Sequence, residues 1–268
     1  RTHSVEIRLG FGEEKRLDLV AHFGALGARG SALVGALLPN VLAEPAFGVS
    51  FPEGSFSLTG ESARVAGLIG EDLLAEGQWG ESGIRFSRLS AADWGGMGLD
   101  ATLAAGGRLD APVLSGSGMV RVAAGDAPAL AALQDLIGVP QGWREHLALS
   151  APADLLVDIG APFQGSQTVT LAGSLGVGVV NLRAELEGGL GGLGNGPLRI
   201  TGGLESTDVA GLTRQIGLGD LDLFAGEGSM LVSLVLDGVP GSGLDANITA
   251  SLGEESIRMY RTMGGNHK

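Results

Sequence analysis

The sequence predicts a mainly β protein, in which an elongated antiparallel sheet is interrupted by a few short capped helices. Three observations carry this prediction. Apolar and polar residues alternate over many short segments, which is typical of strands with one buried face. The 48 glycines of the 268-residue chain follow no collagen-like period, so they are expected in turns between strands. Hydrophobic residues make up 44% of the chain and charged residues 18%, which favours a folded core over disorder.

The alternation is clearest in residues 98–105 and 243–252. In the second segment, Leu244, Ile248 and Leu252 fall on one side of the pleat, opposite polar residues. Turn-forming residues bound most of these segments, as expected for sequential antiparallel strands. Further strands are predicted at residues 119–123, 154–159, 168–173, 181–187, 198–201 and 229–237.

Short segments with helical spacing interrupt this pattern. Asp126 is a predicted N-cap, and Pro128 suits the first turn of the helix that follows it. A second helix is predicted to begin after Thr207 or Asp208, and a third at Ser31. Because each segment is short, the helices are expected to punctuate the sheet rather than to form a layer of their own.

Two stretches share the order strand, capped helix, strand, and we interpret them as weak repeat units around residues 118–196 and 197–260. The apolar-Arg-apolar triplet at residues 120–122 aligns with the one at residues 198–200. Repeats of this kind favour a quasi-one-dimensional assembly, in which each unit buries its apolar face against the next. The prediction is one elongated β-rich domain over residues 1–268.

The charge and the cysteine count exclude several classes of function. The formal net charge is −13, so the surface should repel nucleic acid, which is not expected as a partner. The absence of cysteine excludes disulfides, zinc-thiolate sites and cysteine nucleophiles. Because Arg1 is not an initiator methionine and no leader pattern follows it, we expect the chain to be a piece of a longer protein.

Two glycine-rich motifs have a possible chemical interpretation, but a structural one is favoured for both. Residues 189–194 fit G-x-G-x-x-G, yet the next residues lead into a strand, so a hairpin connection is expected. Residues 217–222 resemble a calcium-binding nonapeptide, but stacking requires tandem copies, so Asp220 and Asp222 are predicted on the solvent face of a strand. No metal-ligand spacing joins the four histidines, His3, His22, His146 and His267. We therefore expect no catalytic residue, no metal, no cofactor and no enzymatic activity.

The combination of an apolar-Arg-apolar strand, an Asp-capped helix ending in Ile-Gly-(Val/Leu) and glycine-bounded amphipathic strands resembles the C-terminal region of AsmA-family and TamB-like proteins. The relevant stretches are residues 118–158, 197–252 and, less clearly, 54–105. The resemblance implies a curved, repeating β-groove with an apolar lining, located in the periplasm and tethered to the inner membrane by a segment absent from this chain. It also implies phospholipid transfer or outer-membrane assembly and maintenance as the function, with phospholipid acyl chains and other envelope proteins as partners.

An apolar face of a sheet must be covered by another layer, a closed barrel or a ligand. Aromatic residues make up only 4% of the chain, so few bulky side chains are present to fill a wide interior. An open groove would accept acyl chains, whereas the alternative is a structural or adhesive β-solenoid or sandwich of the cell surface, whose apolar faces pack on each other. The predicted groove-lining residues are Leu99, Leu103, Val120, Val122, Leu198, Ile200, Met230, Val232, Leu234, Leu236, Leu244, Ile248 and Leu252.

Overall fold

The computed structural model describes residues 3–11, 15–27, 29–30, 53–65, 67–80, 83–108, 111–136, 151–193, 195–215 and 228–264. The predicted mainly β fold, built from antiparallel strands with a few short helices, is confirmed. The chain divides into two compact units. The first comprises Arg1–Met119 and Ala127–Ala132, and the second Val120–Asp126 and Leu133–Lys268. No helix in the described ranges is both long enough and apolar enough to cross a bilayer.

The strands of the first unit pair in the order β1-β2-β3-β4-β5-β7-β8, and the short β6 pairs with β4; the last three residues of β8 belong to the second unit. Their bounds are β1 (Ser4–Phe11), β2 (Lys15–Ala25), β3 (Glu53–Val65), β4 (Leu68–Gly80), β5 (Gly83–Ala91), β6 (Asp93–Trp94), β7 (Met97–Arg108) and β8 (Ala111–Val122). Strand β2 runs parallel to β3, which departs from the predicted all-antiparallel order. A parallel neighbour requires a long connection, and 27 residues separate these two strands in the chain.

Aromatic side chains form the core of the first unit, where Phe56 and Trp79 are buried together with Leu19. The rings of Phe56 and Trp79 stack with centroids 6.3 Å apart, and Phe86 meets Phe56 edge to face at 5.4 Å. Gly54 pairs with Trp79 across β3 and β4, and a Cβ atom at Gly54 would collide with the indole. The absence of a side chain at Gly54 therefore makes room for the buried tryptophan.

The strands of the second unit pair in chain order, and every neighbouring pair from β9 to β15 is antiparallel. Their bounds are β9 (Ala153–Ile159), β10 (Ser166–Leu175), β11 (Gly178–Glu187), β12 (Leu198–Ser206), β13 (Met230–Val239), β14 (Gly243–Leu252) and β15 (Glu255–Gly264). Two-residue turns join β10 to β11 and β14 to β15, with Gly176 and Gly253 at φ 59°. Glycine adopts this left-handed conformation without steric cost, so these turns fix the register of the adjoining strands.

Helix α1 (Pro128–Leu136) begins at Pro128, which agrees with the preference of proline for the first helical position. The prediction of Asp126 as its N-cap is wrong. Ala127 precedes the helix, and the Ala129 N–H donates to the Gly95 carbonyl at 3.1 Å instead of to a cap carboxylate. The turn between β6 and β7 thus supplies the acceptor that Asp126 was expected to provide.

Helix α2 (Val209–Gln215) begins directly after Asp208, and its predicted start is confirmed. The Gly211 N–H donates to Asp208 Oδ1 at 2.8 Å, and the Asp208 N–H donates to Ser206 Oγ at 3.0 Å. Asp208 therefore satisfies one of the amides that have no partner within the helix. The helix predicted from Ser31 lies outside the described residues.

Both predicted repeat stretches contain a strand, a helix and a further strand, but the aligned triplets are not equivalent in the fold. Residues 120–122 end β8, whereas residues 198–200 begin β12. The first triplet is therefore next to its helix, and the second is separated from its helix by the rest of a strand. The two repeat units remain a prediction.

The cap of α2 provides a test of the fold. Replacement of Asp208 by Ala should lower the free energy of unfolding by about 1 kcal/mol, because the Gly211 amide loses its acceptor. Replacement of the exposed Asp126 by Ala is the matched control and should leave stability nearly unchanged. Urea unfolding followed by circular dichroism measures both variants. Equal losses in the two variants would contradict the different roles of the two carboxylates.

Candidate functional site

Alternate residues of the seven strands of the second unit point to one side of the sheet, and one row of them crosses every strand. In the order β9 to β15, this central row consists of Val157, Leu171, Leu182, Gly202, Leu234, Ile248 and Met259. We call the surface formed by the central row and the alternate residues along the same strands the apolar face. All seven residues of the central row are half-buried. Six inter-strand spacings make the row roughly 29 Å long.

Helix α2 covers one end of the apolar face. Its Leu212 is fully buried and packs in one cluster with Met230, Val232, Ala250 and Leu252. These four residues lie on β13 and β14, at the end of the face where β12 leads into the helix. At this end, the chain's own helix therefore fills the space above the sheet.

Polar contacts hold α2 against the turn between β10 and β11. Gln215 Nε2 donates to the Leu175 carbonyl at 2.9 Å, and the Val177 N–H donates to Gln215 Oε1 at 3.1 Å. The buried Ser206 hydroxyl donates to the Val177 carbonyl at 2.7 Å and accepts from the Asp208 amide. Buried polar groups of this kind are stable only when they are hydrogen-bonded, so the contacts fix where the helix lies.

A second buried polar side chain lies at the opposite end of the apolar face. Gln167 is 2% exposed, and it stands beside the buried Leu186 of β11, which in turn pairs with the buried Leu198 of β12. Gln167 Nε2 donates to the Gly160 carbonyl at 2.9 Å, and Gln167 Oε1 accepts from the Leu190 N–H at 3.0 Å. Gln167 thereby joins the segment after β9 to the short 3-10 helix that links β11 to β12.

Burial along the apolar face follows a gradient from its ends to its middle. On β13 and β14, Leu236, Leu244 and Ala246 form a buried cluster toward the Gln167 end, against which Ile200 and Leu234 pack while remaining half-buried. The α2 end is buried by the helix. Among the described residues, the central row is thus the part of the face that keeps access to solvent across all seven strands.

The opposite face of the same sheet is mainly polar, although Leu156, Val179, Leu231 and Val235 are exposed on it; we call it the polar face. Its side chains include exposed ion pairs between neighbouring strands and along one strand, and each such pair contributes little to stability. The pairs are Arg121 with Asp154 at 3.4 Å, Arg183 with Glu185 at 3.2 Å and Arg199 with Asp237 at 3.5 Å. The two faces therefore differ in chemistry in the way that the alternation predicts.

The predicted groove residues of β12 to β14 share the apolar face, but their accessibility differs. Leu234, Ile248 and Ile200 are half-buried in or beside the central row. The others on these strands are buried: Met230, Val232 and Leu252 beneath α2, and Leu198, Leu236 and Leu244 toward the other end. A buried side chain already packs against protein, so only the half-buried positions are candidates for contact with a ligand.

The remaining predicted groove residues lie elsewhere on the sheet strands. Leu99 and Leu103 belong to β7 in the first unit, where Leu103 pairs with Phe86 of the aromatic core. In β8, Val120 is half-buried and Val122 is 2% exposed. Both belong to the second unit and flank Arg121, whose ion pair lies on the polar face.

The sequence prediction omits five members of the central row, namely Val157, Leu171, Leu182, Gly202 and Met259. The first three lie in segments that were predicted as strands, so alternation alone identifies their side of the pleat. Met259 belongs to β15, where Glu255 and Arg261 interrupt the apolar alternation at the edge of the sheet. The pairing that brings these residues into one row becomes visible only in the structure.

The motifs with a possible chemical interpretation carry no site in the described part of the chain. Residues 189–193 lie in the connection between the antiparallel strands β11 and β12, which includes the 3-10 helix Leu190–Gly192, as predicted for a hairpin. Asp220, Asp222, His146 and His267 lie outside the described residues. No group of three or more His, Asp or Glu side chains suited to hold a metal ion occurs in the described ranges.

A shallow cleft of about 480 Å³ lies in the first unit, beside the turn between β3 and β4. Arg64, Glu71 and Asp93 are the charged groups that line it. Arg64 donates to the Gly67 carbonyl, and Asp93 accepts from the Gly96 N–H at 3.0 Å.

Comparisons with protein-family models, with curated proteins and with solved structures found no match to this chain.

The cluster beneath α2 is tested by two neighbouring residues of β13. Met230 is fully buried and Leu231, on the opposite face, is 43% exposed. Replacement of Met230 by Ala should lower the free energy of unfolding by about 2 to 5 kcal/mol because it leaves a cavity beneath the helix. Leu231→Ala should cost less than about 1 kcal/mol. Denaturant unfolding measures both variants. Similar losses of unfolding free energy in the two variants would refute the assignment of these residues to a buried and an exposed face.

Proposed function

We propose that this chain is a cell-envelope protein whose apolar face binds phospholipid acyl chains along the central row, in the service of phospholipid transfer or of outer-membrane assembly and maintenance. The observation that carries the proposal is the central row itself. The row has one residue on each of seven neighbouring strands, and each residue pairs directly with the next. Six of the seven have apolar side chains, and all seven are half-buried.

The dimensions of the central row suit a lipid chain. Its length of roughly 29 Å is about twice the thickness of the acyl layer of one bilayer leaflet, which is about 15 Å. An extended acyl chain can therefore lie along the row over its full length. Each methylene moved from water into contact with the row contributes about 0.8 kcal/mol. Leu171, Leu182 and Leu234 present branched aliphatic side chains, and Gly202 leaves a gap in the middle of the row, so an acyl chain meets aliphatic groups without a polar interruption.

The remaining properties of the chain support a carrier or a scaffold rather than a catalyst. The polar face of the second unit keeps the sheet hydrated while the apolar face is occupied. The net charge of −13 disfavours a surface bound tightly to anionic headgroups, which suits a protein that receives and releases lipid. The resemblance to AsmA-family and TamB-like proteins supports a periplasmic location with an anchor at the inner membrane.

A structural or adhesive role at the cell surface is the second candidate, and the buried ends of the apolar face favour it. Leu244 is 1% exposed and Ala250 0% exposed, so parts of the face already pack as a protein core does. If the whole face were covered in the same way, the sheet would be one layer of a closed sandwich. Accessibility of the central row distinguishes the two candidates.

The test uses two adjacent residues of β13 that point to opposite faces. Leu234 belongs to the central row, whereas Val235 is 37% exposed on the polar face. The chain and its Leu234→Glu and Val235→Glu variants are purified from cells, and copurifying phospholipid is quantified by mass spectrometry. We expect the wild type and Val235→Glu to carry equal lipid, and Leu234→Glu to carry at least about tenfold less, since a carboxylate disfavours an adjacent acyl chain.

Melting curves of the three proteins separate loss of lipid from loss of the fold. In an accessible row the glutamate at position 234 stays hydrated, so the Leu234→Glu variant should remain folded. In a closed core it would bury an unpaired charge and unfold the protein. Wild-type protein without lipid, together with unfolding of Leu234→Glu, would overturn the groove in favour of the sandwich.

A further inference from the structure

Strand β1 forms an edge of the first unit with an unusual exposure of apolar side chains. Among the described residues its one neighbouring strand is β2. Val5, Ile7 and Leu9 lie on the same side as Leu19 of the core, yet they are 47%, 49% and 46% exposed. Three adjacent exposed side chains of this size form an apolar stripe along this edge.

Apart from two charged residues, the edge of β1 lacks the features that usually prevent a strand from pairing with another chain. Its register with β2 is continuous from Ser4 to Phe11, without a bulge. It contains no proline and no lysine. Edges are ordinarily blunted by such features, because unpaired N–H and C=O groups otherwise recruit a further strand. Glu6 and Arg8 are its two charged residues, and they contact each other at 2.7 Å while highly exposed.

The sequence of β1 is complementary to itself in one antiparallel register. With Ile7 facing Ile7 of a second copy, Val5 faces Leu9, and Glu6 faces Arg8 on both sides of the two-fold axis. A register centred on Glu6 would place two glutamates opposite each other, and one centred on Arg8 would oppose two arginines. Opposite charges that face each other across two strands are stabilising and like charges are destabilising. Only the register centred on Ile7 matches both charges and apolar side chains.

We propose that β1 is a self-association edge, through which two copies of this chain pair antiparallel about a two-fold axis at Ile7. The Glu6–Arg8 contact within each strand is exchanged for two contacts between the copies, Glu6 to Arg8 and Arg8 to Glu6. The interface is isologous, so it closes as a dimer and does not propagate into a filament. It is independent of the apolar face and of the proposed lipid function.

The expected association is weak, because a single added strand buries less surface than a standard protein interface. A dissociation constant on the order of micromolar is expected. Backbone hydrogen bonds along the strand supply the affinity, as in other complexes in which a strand is added to a sheet edge. The cross-strand charges select the register.

The experiment is a charge exchange at two exposed positions that the fold does not depend on. The wild type, Glu6→Arg, Arg8→Glu and the double variant with both changes are compared by sedimentation velocity over a concentration series. Each single variant opposes like charges in the two-fold register and should dissociate at least about tenfold more readily. The double variant restores both opposite-charge pairs and should dimerise as the wild type does.

An equimolar mixture of Glu6→Arg and Arg8→Glu should form a heterodimer, because one copy then contributes two arginines and the other two glutamates. Restoration by mixing is specific to this register. Circular dichroism spectra and melting temperatures that match the wild type confirm that the variants are folded. A monomeric wild type at about 100-fold the expected dissociation constant would overturn the proposal. Single variants that dimerise unchanged, or a mixture that stays monomeric, would overturn it equally.

Discussion

The second unit depends above all on the constancy of its antiparallel register. Because side chains alternate with a period of two, a slip of one residue between any two strands would move apolar residues to the polar face. Two-residue turns at Gly176 and Gly253 fix the register of two hairpins. Hydrogen bonds of Gln167 and Gln215 hold the segments that lie at the two ends of the apolar face. The unbroken central row is the direct consequence.

The same register also determines which apolar residues lie beneath helix α2, where they contribute to stability as a packed core. Helix α2 has only seven residues and would be marginal in isolation, so its place on the sheet depends on Leu212, the Asp208 cap and the Gln215 contacts. The helix gives one end of the face a packed core. The middle of the face, where no described element packs, remains half-buried. Packing for stability and access to solvent are thereby assigned to different parts of one surface.

Local features and the antiparallel pairing of neighbouring strands could be predicted from the sequence, whereas contacts between distant parts of the chain and the exact register could not. The bounds of β14 and the start of α2 were predicted correctly, because alternation and an N-cap are local signals. The parallel pairing of β2 with β3 and the hydrogen bond from Ala129 to Gly95 involve distant parts of the chain, and no local pattern encodes them. The central row has the same origin, because the alignment of its members follows from six pairings between strands. Burial by α2 likewise separates core positions from accessible ones that look identical in the sequence.

The central claim is that the middle of the apolar face contacts acyl chains, and a single-label quenching experiment tests it most directly. The chain contains no cysteine, so Leu182→Cys and Arg183→Cys each allow one fluorescent label, on the apolar and on the polar face respectively. Phospholipid with brominated acyl chains is then added and the fluorescence is measured. Strong quenching at position 182 with little at position 183 is the predicted result. Equal quenching at both positions, or none at position 182, would contradict the claim.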